Sequence, residues 1–323
     1  MGLLLVGGGC TNCDGGWFSR KASVELFPPS CTIPSLPVGT TDLITFQRPS
    51  GQIVSCGGAN QGCHTGGCAS SSATTHCWVL NVGRGRWESG VVADLNMPRY
   101  RAAVVSLPVG TYVLGGSGGD STGTVQASGV TGRTGEFLPA GATSWKLGPE
   151  LPAEWGDFCA VAISATQFLA IVNVKIWEFD LGQTSGDPTS TNGWLGEDTW
   201  PLTLRRSRYA AGCGLVGNKL VVAGGSHIST EIIDLDAKTA RQGPDMLGFR
   251  KWFQLLPVVG SDSDTILLAL GGYQAGPGVP AVSLKAVEEW DPVSETWSEA
   301  EQQLVEGRIR YGAVIVDAAL VCA

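Results

Sequence analysis

A short apolar run that ends in two glycines recurs along the chain, and this repeat constrains the fold more than any other feature. The glycine pairs occupy residues 7–8, 57–58, 115–116, 224–225 and 271–272. Successive pairs are 50, 58, 109 and 47 residues apart. The longest interval equals two of the shorter ones, so a degenerate copy is expected near residue 170, where the apolar residues 168–172 precede Asn173 and Val174.

A second element of the repeat lies about 15 residues before each apolar run, as a polar or charged residue followed by a large apolar one. A run rich in small residues follows each copy and is predicted to be a strand. The six copies are Asp42-Leu43, Arg99-Tyr100, Asp157-Phe158, Arg208-Tyr209, Lys251-Trp252 and Arg310-Tyr311.

A third element follows each glycine pair and is a β-rich run that ends in a polar or Pro turn. Examples are residues 24–28, 136–139, 177–180, 231–234 and 289–292. A tryptophan often comes seven to nine residues after the aromatic or aliphatic centre of this run, as at Trp87, Trp145 and Trp297. Each repeat unit therefore contains four predicted strands.

Four short strands form a sheet that cannot bury both of its faces, but several such sheets stacked around an axis can. The chain has 46 Gly and 17 Pro among 323 residues, which favours many strands and turns over helices. The repeat therefore predicts a β-propeller. The glycine pairs fit the crowded backbone near the axis, and the tryptophans are expected to fill the wedges between blades.

The order R-Y, YVLGG, E-x-F-x-P and W resembles the kelch repeat, and residues 287–297 (VEEWDPVSETW) are similar to its core. The resemblance covers essentially the whole chain. It implies one all-β domain over residues 1–323, a six-bladed kelch-type propeller with four antiparallel strands per blade. We expect the C-terminal strand, at about residues 311–316, to complete the first blade together with the N-terminal strand and so remove free sheet edges.

The two ends of the sequence carry further expectations. Residues 1–9 are apolar but lack the basic region and cleavage site of a signal peptide, so they are predicted to be a strand. Residues 319–323 look like the start of another glycine-pair strand, with Cys322 in register with Cys56. This segment is either a tail docked by a disulfide or the start of a longer array.

The chain has ten cysteines, seven of them in the first 77 residues. An even number in Gly/Ser-rich loops favours disulfides and an oxidising compartment. Zinc binding and free buried thiols are the alternatives, but only one pair has the C-x2-C spacing. With the segment at residues 31–37, the cysteines resemble those of secreted kelch-type proteins of animals. The candidates are Cys10, Cys13, Cys31, Cys56, Cys63, Cys68, Cys77, Cys159, Cys213 and Cys322.

The charge and hydropathy of the chain exclude two kinds of partner. The net charge is −8, from 21 Lys and Arg against 29 Asp and Glu, whereas nucleic-acid binding needs basic side chains that displace phosphate counterions. No apolar stretch approaches the roughly 20 residues that span a bilayer. We therefore predict no nucleic-acid partner and no membrane span.

Catalytic motifs are scarce in this sequence. Its three histidines are His64, His76 and His227. His64 and His76 lie in the long insertion at residues 59–77, whereas His227 follows the glycine pair at residues 224–225, so they come from different sets of loops. The ligands of copper sites in galactose-oxidase-like propellers converge instead, and the Glu-x3-Asp-x3-His pattern of iron-binding specifier proteins is absent. No nucleophile elbow, P-loop or zinc-protease motif occurs. We predict no catalytic residue, no metal and no cofactor.

The second element of the repeat predicts a binding site. If each copy begins the innermost strand of a blade, the copies surround one mouth of the channel, where they can bind an anion, a peptide or a sugar. Alternatively, each Arg bonds to backbone carbonyls or acids of the blades, as the kelch repeat commonly does. With Asp42 also in this ring, the candidate binding residues are Arg99, Tyr100, Asp157, Arg208, Tyr209, Lys251, Trp252, Arg310 and Tyr311.

Long variable loops are the second candidate surface, since rigid scaffolds place recognition on such loops. The longest are residues 59–77, 117–134, 182–200 and 273–285. Trp155, Trp194 and Tyr273 are predicted to be exposed anchors. For Trp194, packing within a blade is the alternative.

These observations favour a non-enzymatic extracellular protein that binds a protein or glycan partner, or that assembles with its own copies. The alternative is a hydrolase or lyase acting on a small or sugar-like substrate at the channel mouth. That alternative predicts an axial pocket that contains a carboxylate of raised pKa. A third possibility is an intracellular adaptor, which predicts ten reactive thiols under denaturant.

Overall fold

The protein folds as a six-bladed β-propeller of antiparallel sheets, as the repeat predicts. From the channel outwards, the strands of each blade are called inner, second, third and outer. The computed structural model describes residues 2–11, 19–60, 63–64, 67–68, 73–118, 131–196, 199–200, 203–260, 264–276 and 279–322.

The first three blades are built from the two ends of the chain and from residues up to 147. Blade 1 contains Gly312–Asp317, Gly2–Gly7 and Val24–Phe27. Blade 2 contains Ile44–Gln47, Ile53–Cys56, Cys77–Asn81 and Arg86–Glu88. Blade 3 contains Ala103–Leu107, Gly110–Leu114, Gly135–Pro139 and Lys146–Leu147.

The other three blades follow in chain order. Blade 4 contains Cys159–Ala162, Gln167–Val172 and Lys175–Asp180. Blade 5 contains Gly212–Val216, Lys219–Ala223, Thr230–Asp234 and Thr239–Gln242. Blade 6 contains Gln254–Val259, Thr265–Leu270, Val287–Asp291 and Thr296–Glu299.

Blades 1 and 4 vary the four-stranded plan at the outer position. In blade 4, Trp194 fills this position through a single β-bridge to Phe179. In blade 1, the chain beyond the third strand runs along the outside and buries Ile33 and Leu36. Both blades thus keep a covered outer side.

In the part of the chain that the structure describes, three short hairpins extend from the loops that follow the glycine pairs of blades 1, 2 and 6. They pair Cys10–Thr11 with Ser19–Arg20, Cys63–His64 with Gly67–Cys68, and Tyr273–Gly276 with Val279–Ser283. The short helices of the described residues are the 3-10 turns Val82–Arg84, Thr131–Arg133, Leu181–Gln183 and Thr191–Gly193, and the α-helix Ala318–Val321. Among the described residues, the structure has no helix with the length and apolar character needed to cross a membrane.

The ring closes between the two ends of the chain. Gly312–Asp317 pairs antiparallel with Gly2–Gly7, which confirms the closure predicted for blade 1. The inner strand of every blade contacts the inner strand of the next, including Gln254–Val259 of blade 6 against Gly312–Asp317 of blade 1. The hydrophobic core is divided among the wedges between blades, as where Leu4 of blade 1 packs with Leu268 of blade 6.

The glycine pairs allow each blade to approach the next. Gly115 and Gly116 have φ of +61° and +92°, which a side chain disfavours. A Cβ on Gly115 would lie 2.5 Å from the carbonyl oxygen of Trp155 in the loop that enters blade 4. The amide of Gly116 donates to that same oxygen over 2.8 Å. The pair therefore serves the contact between blades 3 and 4.

The same hydrogen bond repeats around the ring. Each second glycine donates to a carbonyl of the next blade at 2.8 Å, in the pairs Gly9–Thr40, Gly58–Arg99, Gly116–Trp155, Gly225–Arg250 and Gly272–Arg308. In blade 4, Asn173 takes this place through a β-bridge to Arg208, with φ of +56° that Asn tolerates better than most residues. In blade 1 the pair is Gly8 and Gly9, one residue later than the sequence pattern placed it.

Three tryptophans of outer strands fill the wedges between blades, as predicted. Trp87 of blade 2 packs with Leu5 and Leu26 of blade 1, and its indole donates to the carbonyl of Pro34 at 2.9 Å. Trp145 lies in the wedge between blades 2 and 3, and Trp297 lies in the wedge between blades 5 and 6. The indole of Trp145 donates to the Ala93 carbonyl, and that of Trp297 to the Thr230 hydroxyl.

In the described part of the chain, three disulfides join six of the ten cysteines. Cys56–Cys77 links the second and third strands of blade 2, and Cys159–Cys213 links the inner strands of blades 4 and 5. Cys31–Cys322 fixes the helix Ala318–Val321 to blade 1, so a disulfide holds residues 319–322 in place, as one of the two alternatives predicted. Cys10 is buried, the backbones of Cys63 and Cys68 are paired in a hairpin, and Cys13 lies outside the described residues.

We predict that Gly115→Ala destabilises the protein more than Gly141→Ala. Both glycines have positive φ, but nothing lies within 4 Å of a Cβ at Gly141. Gly141→Ala should lower the free energy of unfolding only by the roughly 1–2 kcal/mol that a left-handed backbone costs a residue with a side chain. Gly115→Ala should lower it further, because its Cβ also displaces the Trp155 carbonyl. Urea unfolding of the oxidised proteins measures both losses, and equal losses would contradict the proposed contact.

Candidate functional site

Six residues with left-handed backbone surround the end of the channel where the inner strands begin. Their φ values lie between +52° and +59°, a conformation that non-glycine residues adopt only when the surrounding structure holds them. Each lies two residues before the inner strand of its blade. The channel ring, as we call it, consists of Asp42, Arg101, Asp157, Ala210, Trp252 and Arg310.

Backbone hydrogen bonds hold the channel ring together. The amides of five of the six members donate to the carbonyl of the member in the preceding blade, as in Trp252 to Ala210 at 3.0 Å. The strained backbone is thus fixed by neighbouring blades, and the side chains are held at defined positions. The other observed bonds are Asp42 to Arg310, Asp157 to Arg101, Ala210 to Asp157 and Arg310 to Trp252.

The predicted ring mixed two positions of the repeat. Asp42, Asp157, Trp252 and Arg310 do occupy the ring, but Arg99 and Arg208 lie two residues earlier and are buried. Their places in the ring are taken by Arg101 and Ala210, which sequence reasoning missed. Arg99 and Arg208 instead belong with two other buried arginines, and we call the set Arg99, Arg208, Arg250 and Arg308 the anchor arginines.

Each anchor arginine connects the glycine pair and the third strand of its own blade. The Arg99 guanidinium donates to the carbonyls of Gly115 and Thr134 at 2.7 and 3.1 Å and to the Glu136 carboxylate at 3.0 Å. Glu136 also accepts the amides of Asn96 and Met97, which fixes the loop that leads to Arg99. This arrangement is the alternative role considered for these arginines, bonding to carbonyls and acids of the blade.

The ion pair between an anchor arginine and a glutamate of the third strand occurs in four blades, and the other two blades lack both residues. The carboxylate partners are Glu25, Glu136, Glu231 and Glu288, in the order of blades 1, 3, 5 and 6. Blade 2 has Thr40 and Trp78 at the two positions, and blade 4 has Trp155 and Trp177. A buried charge without its partner is costly, so loss of both members together is the physically consistent exception.

Below the channel ring lies a cavity of about 210 Å³ that all six inner strands line. Ring charges alternate around four successive blades, as Arg310, Asp42, Arg101 and Asp157. Arg310 contacts Asp42 at 3.4 Å, and Arg101 contacts Asp157 at 3.2 Å. The cavity therefore has a polar entrance, while small residues of the inner strands, such as Ala160, form its walls.

Asp157 is the main acceptor at this entrance. Besides Arg101, its carboxylate accepts the Trp252 indole at 3.2 Å and the Tyr209 hydroxyl. These donors come from blades 3, 5 and 6, so the acid of blade 4 links side chains across the mouth. Removing Asp157 would release all of them.

Asp42 is the most deeply buried acid of the ring. Burial raises the pKa of its carboxyl, and the Arg310 guanidinium opposes that shift. The ion pair compensates only part of the desolvation of the carboxylate. The channel thus holds a carboxyl group of raised pKa next to a cavity.

A cluster of cations and aromatic rings lies beside the ring at blades 5, 6 and 1, and we call it the mouth cluster. The Lys251 ammonium is 4.3 Å from the ring centre of Trp252 and 5.3 Å from that of Tyr273. Arg310 lies 4.0 Å from the Trp252 ring, and Tyr209 packs edge-on against the same indole. Burial and then the nearby Arg310 lower the pKa of Lys251. Cations on aromatic faces are an attractive arrangement.

Exposure distinguishes the remaining candidates. Tyr209 is 41% exposed, whereas Tyr100 and Tyr311 are buried, although Tyr311 also borders the cavity. Trp155 is buried, contrary to its prediction as an exposed anchor, because it takes the place of an anchor arginine and packs against Trp194.

The loops differ in how far the structure describes them. Trp194 is half-buried in the same aromatic packing, which is the alternative considered for it, and Tyr273 belongs to the mouth cluster. Large parts of the predicted recognition loops at residues 59–77 and 117–134 lie outside the described residues. His76 contacts Asp94 at 2.9 Å, and no group of three potential metal ligands occurs in the described part of the chain.

Neither the models of known protein families nor the curated proteins include a match to the chain.

We predict that Arg99→Met and Glu136→Leu each destabilise the protein by about 3–5 kcal/mol, because each leaves a buried charge without its partner. The double variant should lose much less than the sum. Arg133→Ala, which breaks an exposed pair with Glu150, serves as the control and should lose little. Additive losses in urea unfolding would show that the anchor pair is not coupled.

A second prediction concerns Tyr209. Burial, followed by the Asp157 carboxylate, raises the pKa of Tyr209 to about 12. The ordinary tyrosine pKa is near 10. The stabilisation that folding gains from keeping the Tyr209 hydroxyl protonated is therefore complete below about pH 10 and is lost as the pH rises through 12. The phenolate absorbance of the wild type minus that of Tyr209→Phe should titrate near pH 12, and a difference centred near pH 10 would refute the contact.

Proposed function

We propose that this propeller is a non-enzymatic extracellular binding protein that takes a protein or glycan partner at the channel mouth. The observation that carries the proposal is the mouth cluster. Its Tyr209, Lys251 and Trp252 side chains are partly accessible, and the channel ring fixes the backbone beside them. A site held rigid before binding loses less entropy when the partner docks.

The repeat supports a kelch-type assignment over residues 1–323 as one domain. The anchor arginine, the glycine pair and the glutamate of the third strand form one hydrogen-bonded unit in each of four blades. In blade 3, Arg99, the glycine pair and Glu136 are among the residues through which the sequence resembles the kelch repeat. The proposed relation to secreted kelch-type proteins of animals rests additionally on the cysteines.

Disulfides support an extracellular location. Three pairs lie in the described residues, and Cys31–Cys322 joins positions 291 residues apart. Disulfides persist in oxidising compartments and are rare in the reducing cytosol. Such crosslinks also suit a protein that works as part of a matrix, a coat or an assembly of its own copies.

A second candidate function, a hydrolase or lyase at the channel mouth, is favoured by one observation. The cavity contains Asp42, whose pKa is raised by burial, as a catalytic acid requires. Against it, Asp42 is paired with Arg310, and Asp157 is paired with Arg101. Incubation with chromogenic glycosides tests this candidate function. It requires that the wild type hydrolyses a glycoside and that Asp42→Asn abolishes this activity.

The binding proposal is tested with two matched variants. Tyr209→Ala with Lys251→Ala alters the mouth, whereas Val293→Ala alters a residue 79% exposed in a turn of blade 6 at the end remote from the ring. Wild type and variants are applied to a glycan array and to a panel of purified extracellular proteins. The proposal predicts a partner that binds wild type and Val293→Ala and that the mouth variant loses. Absence of any partner, or a partner lost only by Val293→Ala, would reject it.

Thiol titration tests the compartment. We expect at least six of the ten cysteines to be unreactive in denaturant until a reductant is added, because three disulfides join them. The sample is the protein isolated from its source and alkylated during lysis. Ten reactive thiols would reject the extracellular location and favour the intracellular adaptor.

A further inference from the structure

The charges at the channel mouth do not balance. Arg310 is paired with Asp42 and Arg101 with Asp157, but Lys251 has no carboxylate of the described residues within 4 Å, and only the more distant Asp157 acts on its charge. Its ammonium contacts the faces of Trp252 and Tyr273 instead. One positive charge is therefore left over in a protein whose net charge is −8.

Two buried donors border the same space. The Nε atoms of Arg101 and Arg310 are buried and have no hydrogen-bond partner among the described residues, and both side chains line the cavity. Arg310 is 5% exposed. A buried donor without an acceptor is unfavourable, and an anion that supplies oxygen atoms relieves this cost.

Aromatic rings stand next to these donors. Tyr209 is 41% exposed, and Trp252 and Tyr273 are half-buried. Apolar walls with a few placed polar groups are typical of sites for small molecules. A sugar ring fits such walls, because it presents C–H groups on its face and hydroxyl groups at its edge.

The dimensions and acids of the mouth limit the ligand. A cavity of about 210 Å³ is smaller than sites for drug-sized ligands, so it admits one small group. The Asp42 and Asp157 carboxylates can accept hydroxyl donors but repel a ligand with several acids. A long polyanion is also repelled by the net negative charge of the protein.

From this arrangement we propose that the channel mouth binds the terminal uronic acid of a glycan. The carboxylate of the sugar pairs with Lys251 and accepts from the arginine donors. The sugar face lies against the aromatic rings, and its hydroxyls donate to Asp157. This inference rests on the proposed binding function and names the ligand class of the same site.

Titration calorimetry with glucuronic acid, glucose and a tetra-aspartate peptide tests the inference. The variants are Lys251→Gln, which removes the charge, Lys251→Arg, which keeps it, and Lys146→Gln, which neutralises an exposed lysine of blade 3 as the control. Thermal unfolding verifies that each variant is folded. We expect glucuronic acid to bind wild type, Lys146→Gln and Lys251→Arg, with affinity reduced about tenfold or more in Lys251→Gln and for glucose.

Three results would overturn the inference: no binding of glucuronic acid, binding that Lys251→Gln leaves unchanged, or tighter binding of the peptide that depends on Lys251. The array and protein panel keep this failure separate from failure of the proposed function. A neutral glycan or a protein that the mouth variant loses would leave the binding function standing and reject the uronic acid.

Discussion

The fold depends on one hydrogen bond that recurs between neighbouring blades. The second glycine of each pair donates at 2.8 Å to a carbonyl of the next blade, two residues before its channel ring member. Because a Cβ on the first glycine would strike that same oxygen, the pair is required for the approach. Inner strands that approach this closely leave a narrow channel and give the ring residues their left-handed backbone. The geometry of the candidate site thus follows from the packing of the blades.

The anchor arginines extend this contact into each blade. Arg250 donates to the carbonyl of Gly271 and to the Glu288 carboxylate, so the glycine pair, the entering loop and the third strand move as one unit. Buried ion pairs contribute less to stability than their number suggests, but the removal of one partner is costly. We infer that they fix where each blade begins relative to its neighbour. The mouth cluster, which includes Lys251, is therefore also held at a fixed position.

Much of the fold could be predicted from the sequence, because glycine pairs, tryptophans and strand spacing are local signals. The positions that form the channel ring could not be predicted, because arginines occur both in the ring and two residues before it. Arg310 is a ring member, for example, and Arg308 is an anchor arginine. The number of residues before the following small-residue strand distinguishes ring members from anchor arginines, and this signal identifies Arg101 as a ring member. Trp155 was misplaced because its burial depends on the aromatic packing of blade 4. Disulfide pairing such as Cys159–Cys213 depends on which blades are neighbours.

Native-state hydrogen exchange tests the central claim, that the bonds of the glycine pairs unite the blades into one cooperative ring. The amides of Gly9, Gly58, Gly116, Gly225 and Gly272 should exchange only through global unfolding, with equal free energies that match urea unfolding. Exposed turn amides such as that of Gly141 should exchange freely and serve as the reference. Rapid exchange at any one of the five glycines in the folded protein would show that the ring opens there and would contradict the account.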